Sequence, residues 1–295
     1  MGPEGFEPST STMSRYHDST HNNITQTPEE FVKDFEQTCS VDWRLAESTT
    51  KERVKYARRL VDFLGNHPLT ATKQELREFI QGFNDDNAIK TVRVIYGRYF
   101  DSRIADSFKV PQPQFLPKWI PKRQELQRVY DTLDSPKLKV AFLILASSGL
   151  RRHELMELSP SQIDFDNRII YPRNGSKQTT KRQWVTFYNH EAGQELSKEY
   201  DLKAMEPQQK LFDFYSDTLT KKLREASEEV EAREVTPQVL RFWFCNELNR
   251  LGVADRYIDA FCGRVPKSVL ARHYTDFSPE ILRNVYDKAG LKVLS

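Results

Sequence analysis

The spacing of apolar residues predicts four helices in the first third of the chain. Thr27 is followed by a proline and two acids, which is a typical helix start, and Thr72 caps the third helix. The second helix follows residues 48–50, and the fourth runs from about 87 to 103. Four apolar residues give the second helix one hydrophobic face: Val54, Ala57, Val61 and Leu64. We therefore expect a compact all-α domain over residues 28–109.

After residue 121 the pattern predicts helices mixed with three short strands. The run 140–146 is entirely apolar, which is typical of a buried helix. Alternating positions predict a strand over 182–187, after two others at 163–166 and 168–171. The helices are expected at 122–133, 137–146, 191–200, 216–230, 237–251, 255–262, 267–273 and 279–288. The chain is therefore expected to be mainly α with a small antiparallel β-sheet, and residues 122–295 form its second domain.

Two segments lack a periodic apolar pattern. Residues 1–27 are rich in Ser, Thr, Asn, Pro and His, which predicts a disordered N-terminal tail. Residues 110–121 hold four prolines, and a segment with that much proline cannot form regular helix or sheet. We expect this second segment to be a semi-stiff linker between the two domains.

Composition excludes several classes of protein. Hydrophobic residues make up 38% of the chain, and no window approaches the roughly 18 apolar residues of a membrane span. The first residues also lack the apolar core of a signal peptide. Cys39, Cys245 and Cys262 show no paired spacing, so we expect reduced thiols with neither a disulfide framework nor a metal site. These features predict a cytoplasmic protein that does not associate with membranes.

Positive charge is locally concentrated, although the formal net charge is only +2. The segment 173–182 contains four bases and no acid: Arg173, Lys177, Lys181 and Arg182. The second predicted helix carries four more bases: Arg53, Lys55, Arg58 and Arg59. Both groups are candidates for contacting nucleic acid. The alternative for the helical group is an ordinary solvated face.

The apolar run 140–146 is followed by Gly149, which breaks the pattern, and then by Arg151 at the edge of the core. A buried guanidinium is costly unless it meets an anion or a carboxylate. Glu154 lies three residues further on, within reach of Arg151 if a helix restarts there. Two interpretations remain open: a site for an anion, or a structural ion pair that braces two helices.

Three further pieces carry chemistry. Thr236 and a following proline open a helix that places Arg241 in its second turn. Another predicted helix ends at Gly263, directly before Arg264. Tyr274 follows ten residues after that arginine.

In this order and spacing, the pieces resemble the tyrosine recombinases, the phage-integrase and Xer type of site-specific DNA recombinases. The shared pattern is Gly-Leu-Arg-x-x-Glu, a lysine in a turn between two strands, a Leu-Arg box, Gly-Arg and a tyrosine. The resemblance covers the second domain as a mixed α/β catalytic domain, and the four-helix domain resembles the family's core-binding (SAM-like) domain. The Gly-Arg-x-Pro box ahead of His-Tyr is most similar to archaeal virus and plasmid integrases of the fusellovirus type.

The resemblance implies a role for each site residue. Arg151 and Arg241 would hold the scissile phosphate, with Glu154 supporting the first of them. Lys177 would be the general acid that protonates the leaving oxygen. Lys181 is the alternative lysine, but it lies further from the tip of the turn.

Tyr274 matches the family nucleophile, and Tyr257 and Tyr286 are the alternatives. Gln238 and Arg264 occupy the two positions where the family commonly has histidine or tryptophan. A glutamine can donate hydrogen bonds but exchanges no proton near neutral pH, and an arginine stays protonated. These two residues would therefore bind the phosphate without acid–base exchange.

The implied function is that of a site-specific DNA recombinase, an integrase. It would cleave and rejoin double-stranded DNA at attachment sites through a 3′-phosphotyrosine intermediate, without metal, ATP or another cofactor. The resemblance implies two domains around the duplex, a monomer in solution, and a homotetramer on DNA associated with the nucleoid. The alternatives are a degenerate DNA-binding protein that does not cleave, and a nicking-closing enzyme similar to topoisomerase IB.

The tetrapeptide Gly-Phe-Glu-Pro at residues 5–8 suggests where such an element integrates. Its codons can spell GGTTCGAACC, a sequence of the kind found in the T-arm of a tRNA gene. Integrases of the resembling group often carry their attachment site at the start of the gene. The hypothesis is therefore that the element integrates at a tRNA gene.

Overall fold

The computed structural model describes residues 26–83, 85–112, 117–172, 184–264 and 274–294. The chain divides into two compact units, residues 1–115 and residues 116–295. The described residues are mostly helical, and a small antiparallel sheet lies in the second unit. The predicted fold class, mainly α with a small antiparallel sheet, is confirmed. The predicted tail lies almost wholly outside the described residues, as do the turn at 174–180 and the helix predicted at 267–273.

The described part of the first unit contains four α-helices. They are α1 (Pro28–Gln37), α2 (Glu47–Leu64), α3 (Lys73–Gln81) and α4 (Asp86–Val94). A π-helical turn, Ile95–Tyr99, extends α4, and 3-10 turns occupy Pro68–Thr70 and Arg103–Ala105. Asp101 then takes a left-handed conformation with φ 52°, which ends the helical path. The fourth helix is therefore shorter than the predicted 87–103.

Two features of the sequence set the ends and the core of this unit. Thr27 and Thr72 form reciprocal capping boxes, in which a glutamate three residues on accepts from the backbone N–H of each threonine at 2.7 Å. The core is aromatic: the ring centroids of Phe31 and Phe35 lie 5.8 Å apart, and those of Phe35 and Tyr99 lie 5.4 Å apart.

The second unit surrounds one buried helix. Its helices are α5 (Arg123–Thr132), α6 (Pro136–Ser148), α7 (Arg152–Met156), α8 (His190–Glu199), α9 (Ser216–Glu229), α10 (Pro237–Arg250), α11 (Asp255–Phe261) and α12 (Pro279–Ala289). Residues 140–146 of α6 are fully buried, because α8 and α10 pack against it. The predicted buried helix is confirmed. None of the helices described is both long and apolar enough to span a bilayer.

The sheet has the order β1-β2-β3, with β1 at Ile163–Asp164, β2 at Ile169–Ile170 and β3 at Thr186–Phe187. Both pairings are antiparallel, and Ile170 faces Thr186 across the second. The first two strands are shorter than predicted because a turn occupies 165–168 and Arg168 has a φ of 54° there. In the third, residues 184 and 185 are not in a strand, and residues 182 and 183 lie outside the described residues. Phe187 packs edge-on against Phe261 of α11, so the sheet holds α11 in place.

Candidate active site

The turn after α6 determines where Arg151 lies. Gly149 ends the helix in the left-handed region, with φ 66°, and a Cβ there would lie 2.5 Å from Cδ1 of Phe244. Both the backbone angle and the space therefore require glycine. The chain leaves this turn directly into α7, and Arg151 is its N-cap residue.

Replacing Gly149 by alanine should lower the free energy of unfolding. The new methyl group would enter the Phe244 ring in addition to straining the backbone, so we expect a loss of roughly 2–4 kcal/mol. Gly290→Ala is the matched control, because Gly290 has a φ of 60° but nothing within 4 Å of its Cβ position. Denaturant unfolding measures both. Equal losses in the two variants would contradict a steric requirement at Gly149.

Three successive carbonyl groups at the end of α6 accept hydrogen bonds from distant segments. The hydroxyl of Tyr286 on α12 donates to the Ser147 oxygen at 2.7 Å, and Oγ1 of Thr186 on β3 donates to the Ser148 oxygen at 2.6 Å. Nη1 of Arg241 on α10 donates to the Gly149 oxygen. All three bonds are buried. They tie the end of α6 to α12, to α10 and to the sheet.

Glu154 holds both arginines of the site. Its Oε2 accepts from the backbone N–H of Arg151 at 2.7 Å, while its Oε1 accepts from Nη1 of Arg151 at 2.7 Å. The same Oε2 lies 3.9 Å from Nη1 of Arg241. The predicted Arg151–Glu154 pair is therefore present, and Arg241 joins it. Two guanidiniums share one carboxylate, which leaves a net positive charge.

Arg241 is buried, with 3% of its side chain exposed. Besides the Gly149 bond, its Nη2 donates to the carbonyl oxygen of Cys262 at 2.7 Å. Burial lowers the pKa of Arg241, and the neighbouring charge of Arg151 adds to that effect. Among the residues that the structure describes, the charge partner of this buried cation is a carboxylate shared with Arg151, which favours a bound anion. Arg151 is 27% exposed, so the anion can approach from its side.

Arg264 follows α11, and Gln238 precedes Arg241 by three residues on α10. Gly263 has a φ of 59°, and a Cβ on it would lie 2.5 Å from Cε2 of Trp184, so glycine is again required before Arg264. Nη1 of Arg264 lies 3.4 Å from Oδ1 of Asp259 on α11. Gln238 is exposed in the first turn of α10.

The three candidate tyrosines differ in exposure. Tyr274 is 80% exposed. Tyr286 is fully buried, its hydroxyl donates to the Ser147 carbonyl, and burial raises its pKa. Tyr257 is half-buried, with its ring 6.2 Å from that of Phe277. Of the three, Tyr274 has the hydroxyl that can most easily meet a substrate. Among the described residues no hydrogen bond joins Tyr274 to the arginines.

The basic segment 173–182 lies outside the described residues. Its bases, Arg173, Lys177, Lys181 and Arg182, therefore remain predictions from the sequence.

The basic residues of α2 do not form one surface. Arg53 is half-buried, and its Nη1 donates to Oγ1 of Thr91 on α4 at 2.9 Å. Nζ of Lys55 lies 3.8 Å from Oε1 of Glu52, and Nη2 of Arg58 lies 4.0 Å from Oε2 of Glu36. The fourth, Arg59, stacks over the rings of Tyr56 and Phe83.

Arg53 instead lines a cavity of about 350 Å³ with bases that the sequence analysis did not single out. Among the described residues its lining has no carboxylate and consists of Arg53, Lys90, Arg93, Val94, Gly97, Arg98 and Val110. Lys90, Arg93 and Gly97 have the spacing i, i+3, i+7, which is a sequence signal for one helical face. Burial lowers the pKa of Arg53. Four cations facing one cavity favour an anionic ligand.

The chain is similar to known recombinases in sequence. Residues 118–288, more than half of the chain, match the family described as archaeal phage integrase. The tyrosine recombinase XerA of Saccharolobus solfataricus is 27% identical over 250 residues, covering 79% of this chain and 83% of that protein. XerA of Thermococcus kodakarensis is 24% identical over 278 residues, covering 90% of this chain and 96% of that protein.

Solved structures show the same fold. The lambda integrase tetramer bound to a Holliday junction superposes with a TM-score of 0.63 at 14% identity, covering 86% of this chain and 79% of that one. The Tn1549 transposon integrase in complex with transposon right end DNA gives 0.60 at 16% identity, covering 90% and 100%. Because the family match covers more than half of the chain, including the segments that carry the arginines, the chain belongs to the archaeal phage integrases. These are a family of tyrosine-type site-specific recombinases.

Proposed function

We propose that this integrase cleaves and rejoins double-stranded DNA through a 3′-phosphotyrosine intermediate formed on Tyr274. The observation that carries the proposal is the arrangement of Arg151 and Arg241 around the single carboxylate of Glu154. A phosphodiester group carries one negative charge, which matches the positive charge left over in this arrangement. Guanidiniums bind such groups with two parallel hydrogen bonds and do not lose their charge.

The chemistry follows from these charges. The Tyr274 hydroxyl gives its proton to solvent as its oxygen attacks phosphorus and the bond to the 5′ oxygen breaks. Charge grows on the non-bridging oxygens that Arg151 and Arg241 face. The leaving 5′ oxygen takes a proton, for which Lys177 is the proposed donor. Attack by another strand's 5′-hydroxyl on the phosphotyrosine then releases the tyrosine. The phosphodiester energy is kept in the covalent intermediate, so the scheme uses no ATP, metal or other cofactor.

Gln238 and Arg264 take part as hydrogen-bond donors in this scheme. An amide N–H and a guanidinium can both stabilise a phosphoryl oxygen, but neither passes a proton near neutral pH. Proton transfer then falls on fewer groups than in relatives with histidines, and Lys177 carries more of it.

The first unit supplies phosphate contacts in this proposal. The cavity lined by Arg53, Lys90, Arg93 and Arg98 is suited to the DNA backbone, because contacts of this type release counterions and are independent of sequence. The active assembly is a homotetramer on attachment-site DNA, formed from monomers in the cytoplasm. The structurally similar lambda integrase has been solved as a tetramer bound to a Holliday junction and as a dimer bound to a core site.

Replacing Arg93 by alanine should weaken DNA binding about equally for all sequences. Loss of one phosphate contact makes the negative slope of log Kobs against log salt shallower by about 0.9. Lys203→Ala is the control, since this exposed lysine lies outside the cavity. Fluorescence anisotropy at several salt concentrations gives both slopes. An unchanged slope for Arg93→Ala, with the control also unchanged, would rule the cavity out as a phosphate contact.

The attachment site is the second part of the proposal. The Gly-Phe-Glu-Pro tetrapeptide at residues 5–8 supports a site within a tRNA gene. The test is to compare the first thirty or so bases of the coding sequence with the host's tRNA genes. A lack of any match would remove this part and leave the cleavage chemistry untouched.

A nicked suicide duplex with the attachment sequence tests the cleavage reaction. The expected result is a covalent protein–DNA band in EDTA without ATP. Binding without a covalent band would favour the degenerate DNA-binding protein. Relaxation of plasmid without joining of attachment sites would favour the nicking-closing enzyme.

A further inference from the structure

Two cysteine side chains lie together behind the arginine site. Cys245 lies in the middle of α10, Cys262 follows α11, and their Sγ atoms are 3.4 Å apart. Both are free thiols. A disulfide needs about 2.05 Å between the sulfur atoms, so an approach of about 1.4 Å would close the bond.

The two thiols differ in access and acidity. Cys245 is partly exposed and lines an open cavity of about 670 Å³ that also contains Arg264. A hydrogen bond from Cys262 lowers the pKa of the Cys245 thiol, and the charges of Arg264 and Arg241 act in the same direction. Cys262 is fully buried, and its pKa is raised by the same hydrogen bond and by burial. An accessible acidic thiol beside a buried one is the arrangement of an attacking and a resolving cysteine.

Cys262 is also tied to the site. Its carbonyl oxygen accepts from Nη2 of Arg241 at 2.7 Å, and its Sγ would lie 3.2 Å from a Cβ placed on Gly149. Arg264 follows two residues later. A displacement of Cys262 would therefore shift Arg241, which is bonded to the Cys262 carbonyl group. It would also shift the turn at Gly149, which lies next to the Cys262 sulfur atom.

We propose that Cys245 and Cys262 form a thiol–disulfide switch. Oxidation of the pair to a disulfide weakens the hydrogen bonds that hold Arg241. The oxidant is a low-molecular-weight disulfide. The Cys245 thiolate attacks one of its sulfur atoms, forming a mixed disulfide and releasing one thiolate. The Cys262 thiol then loses its proton and attacks the Cys245 sulfur, which forms the internal bond and releases the second thiolate. Overall, two protein thiols are oxidised and one small disulfide is reduced to two small thiols.

The closing motion takes place in a packed interior, which transmits small shifts rather than absorbing them. A misplacement of about 1 Å at a catalytic group can cost roughly a hundredfold in rate. We expect oxidised protein to cleave at least about tenfold more slowly, with unchanged DNA binding. This effect on cleavage rests on the proposed function, whereas formation of the disulfide does not.

The test uses the full chain equilibrated in glutathione buffers of stepped redox potential. Mass spectrometry after alkylation should show the loss of two thiols and a linked peptide containing Cys245 and Cys262. Hydrogen–deuterium exchange should then change in residues 149–155, and the cleavage rate on the suicide duplex should fall and recover with dithiothreitol. Cys245→Ser should abolish all of these responses. Cys39→Ser, which replaces a buried thiol in the other unit, should respond like the wild type.

Two results would overturn the switch: no linked peptide in the most oxidising buffer, or a linked peptide with unchanged exchange in residues 149–155. If reduced protein does not cleave DNA at all, the proposed function fails. The thiol and exchange measurements still decide the switch in that case.

Discussion

Replacing Tyr274 by phenylalanine is expected to abolish the covalent protein–DNA complex and to leave DNA binding intact. Phenylalanine lacks the oxygen that would attack phosphorus, so no slower route to the same intermediate remains. Because the side chain is 80% exposed, its replacement should change the free energy of unfolding by less than about 0.5 kcal/mol. The measurement is a denaturing gel of protein incubated with the nicked suicide duplex, beside a binding assay on the intact duplex.

Tyr257→Phe and Tyr286→Phe are the matched controls, and both should still form the covalent band. Tyr286→Phe leaves the buried Ser147 carbonyl without its donor, so this variant should be destabilised by about 1–3 kcal/mol while it remains active. A covalent band that survives Tyr274→Phe and disappears with Tyr257→Phe would move the nucleophile to Tyr257. The alignment of the residues after Gly263 with the family's tyrosine position would then be wrong.

Arg241→Lys should lower the rate of cleavage by roughly a hundredfold to a thousandfold, which corresponds to the loss of one preorganised donor. A lysine keeps the charge but cannot reach the carbonyl groups of Gly149 and Cys262 together while also facing a phosphate. Single-turnover cleavage at saturating protein separates this effect from binding. Arg152→Lys is the control, since Arg152 pairs with Asp217 on an exposed face.

The buried position of Arg241 means that its replacement can also unfold the protein. Arg151→Lys keeps the prediction testable, because Arg151 is 27% exposed and its backbone bond to Glu154 does not depend on the side chain. We expect a loss of the same order for this variant. Folded Arg151→Lys and Arg241→Lys proteins that both cleave at the rate of the wild type would contradict the phosphate-binding role.

Local patterns account for what the sequence predicts well. The buried helix α6 follows from an unbroken apolar run, and the Arg151–Glu154 pair follows from a spacing of three residues at the start of a helix. The family resemblance adds membership of the tyrosine recombinases, which the match over residues 118–288 bears out. The roles of the individual site residues stay predictions.

Local sequence patterns do not predict contacts between distant segments. The sequence places Arg241 on a helix, but the carbonyl groups that hold it belong to Gly149 and Cys262, which are 92 and 21 residues away. Proximity along the chain groups the four bases of α2 together, whereas Arg53 turns toward Thr91 and lines a cavity with bases of α4. Which way a long side chain turns depends on packing that periodicity does not contain.

The three carbonyl groups at the end of α6 have a consequence for protein synthesis. Their donors lie 38, 92 and 139 residues away in sequence, on β3, α10 and α12. Contacts this distant close late in folding. A ribosome must therefore have made the segment through Tyr286 before the turn that carries Arg151 is fully held. On the proposed function, a growing polypeptide that lacks this segment would not yet be competent to cut the DNA from which it is being expressed.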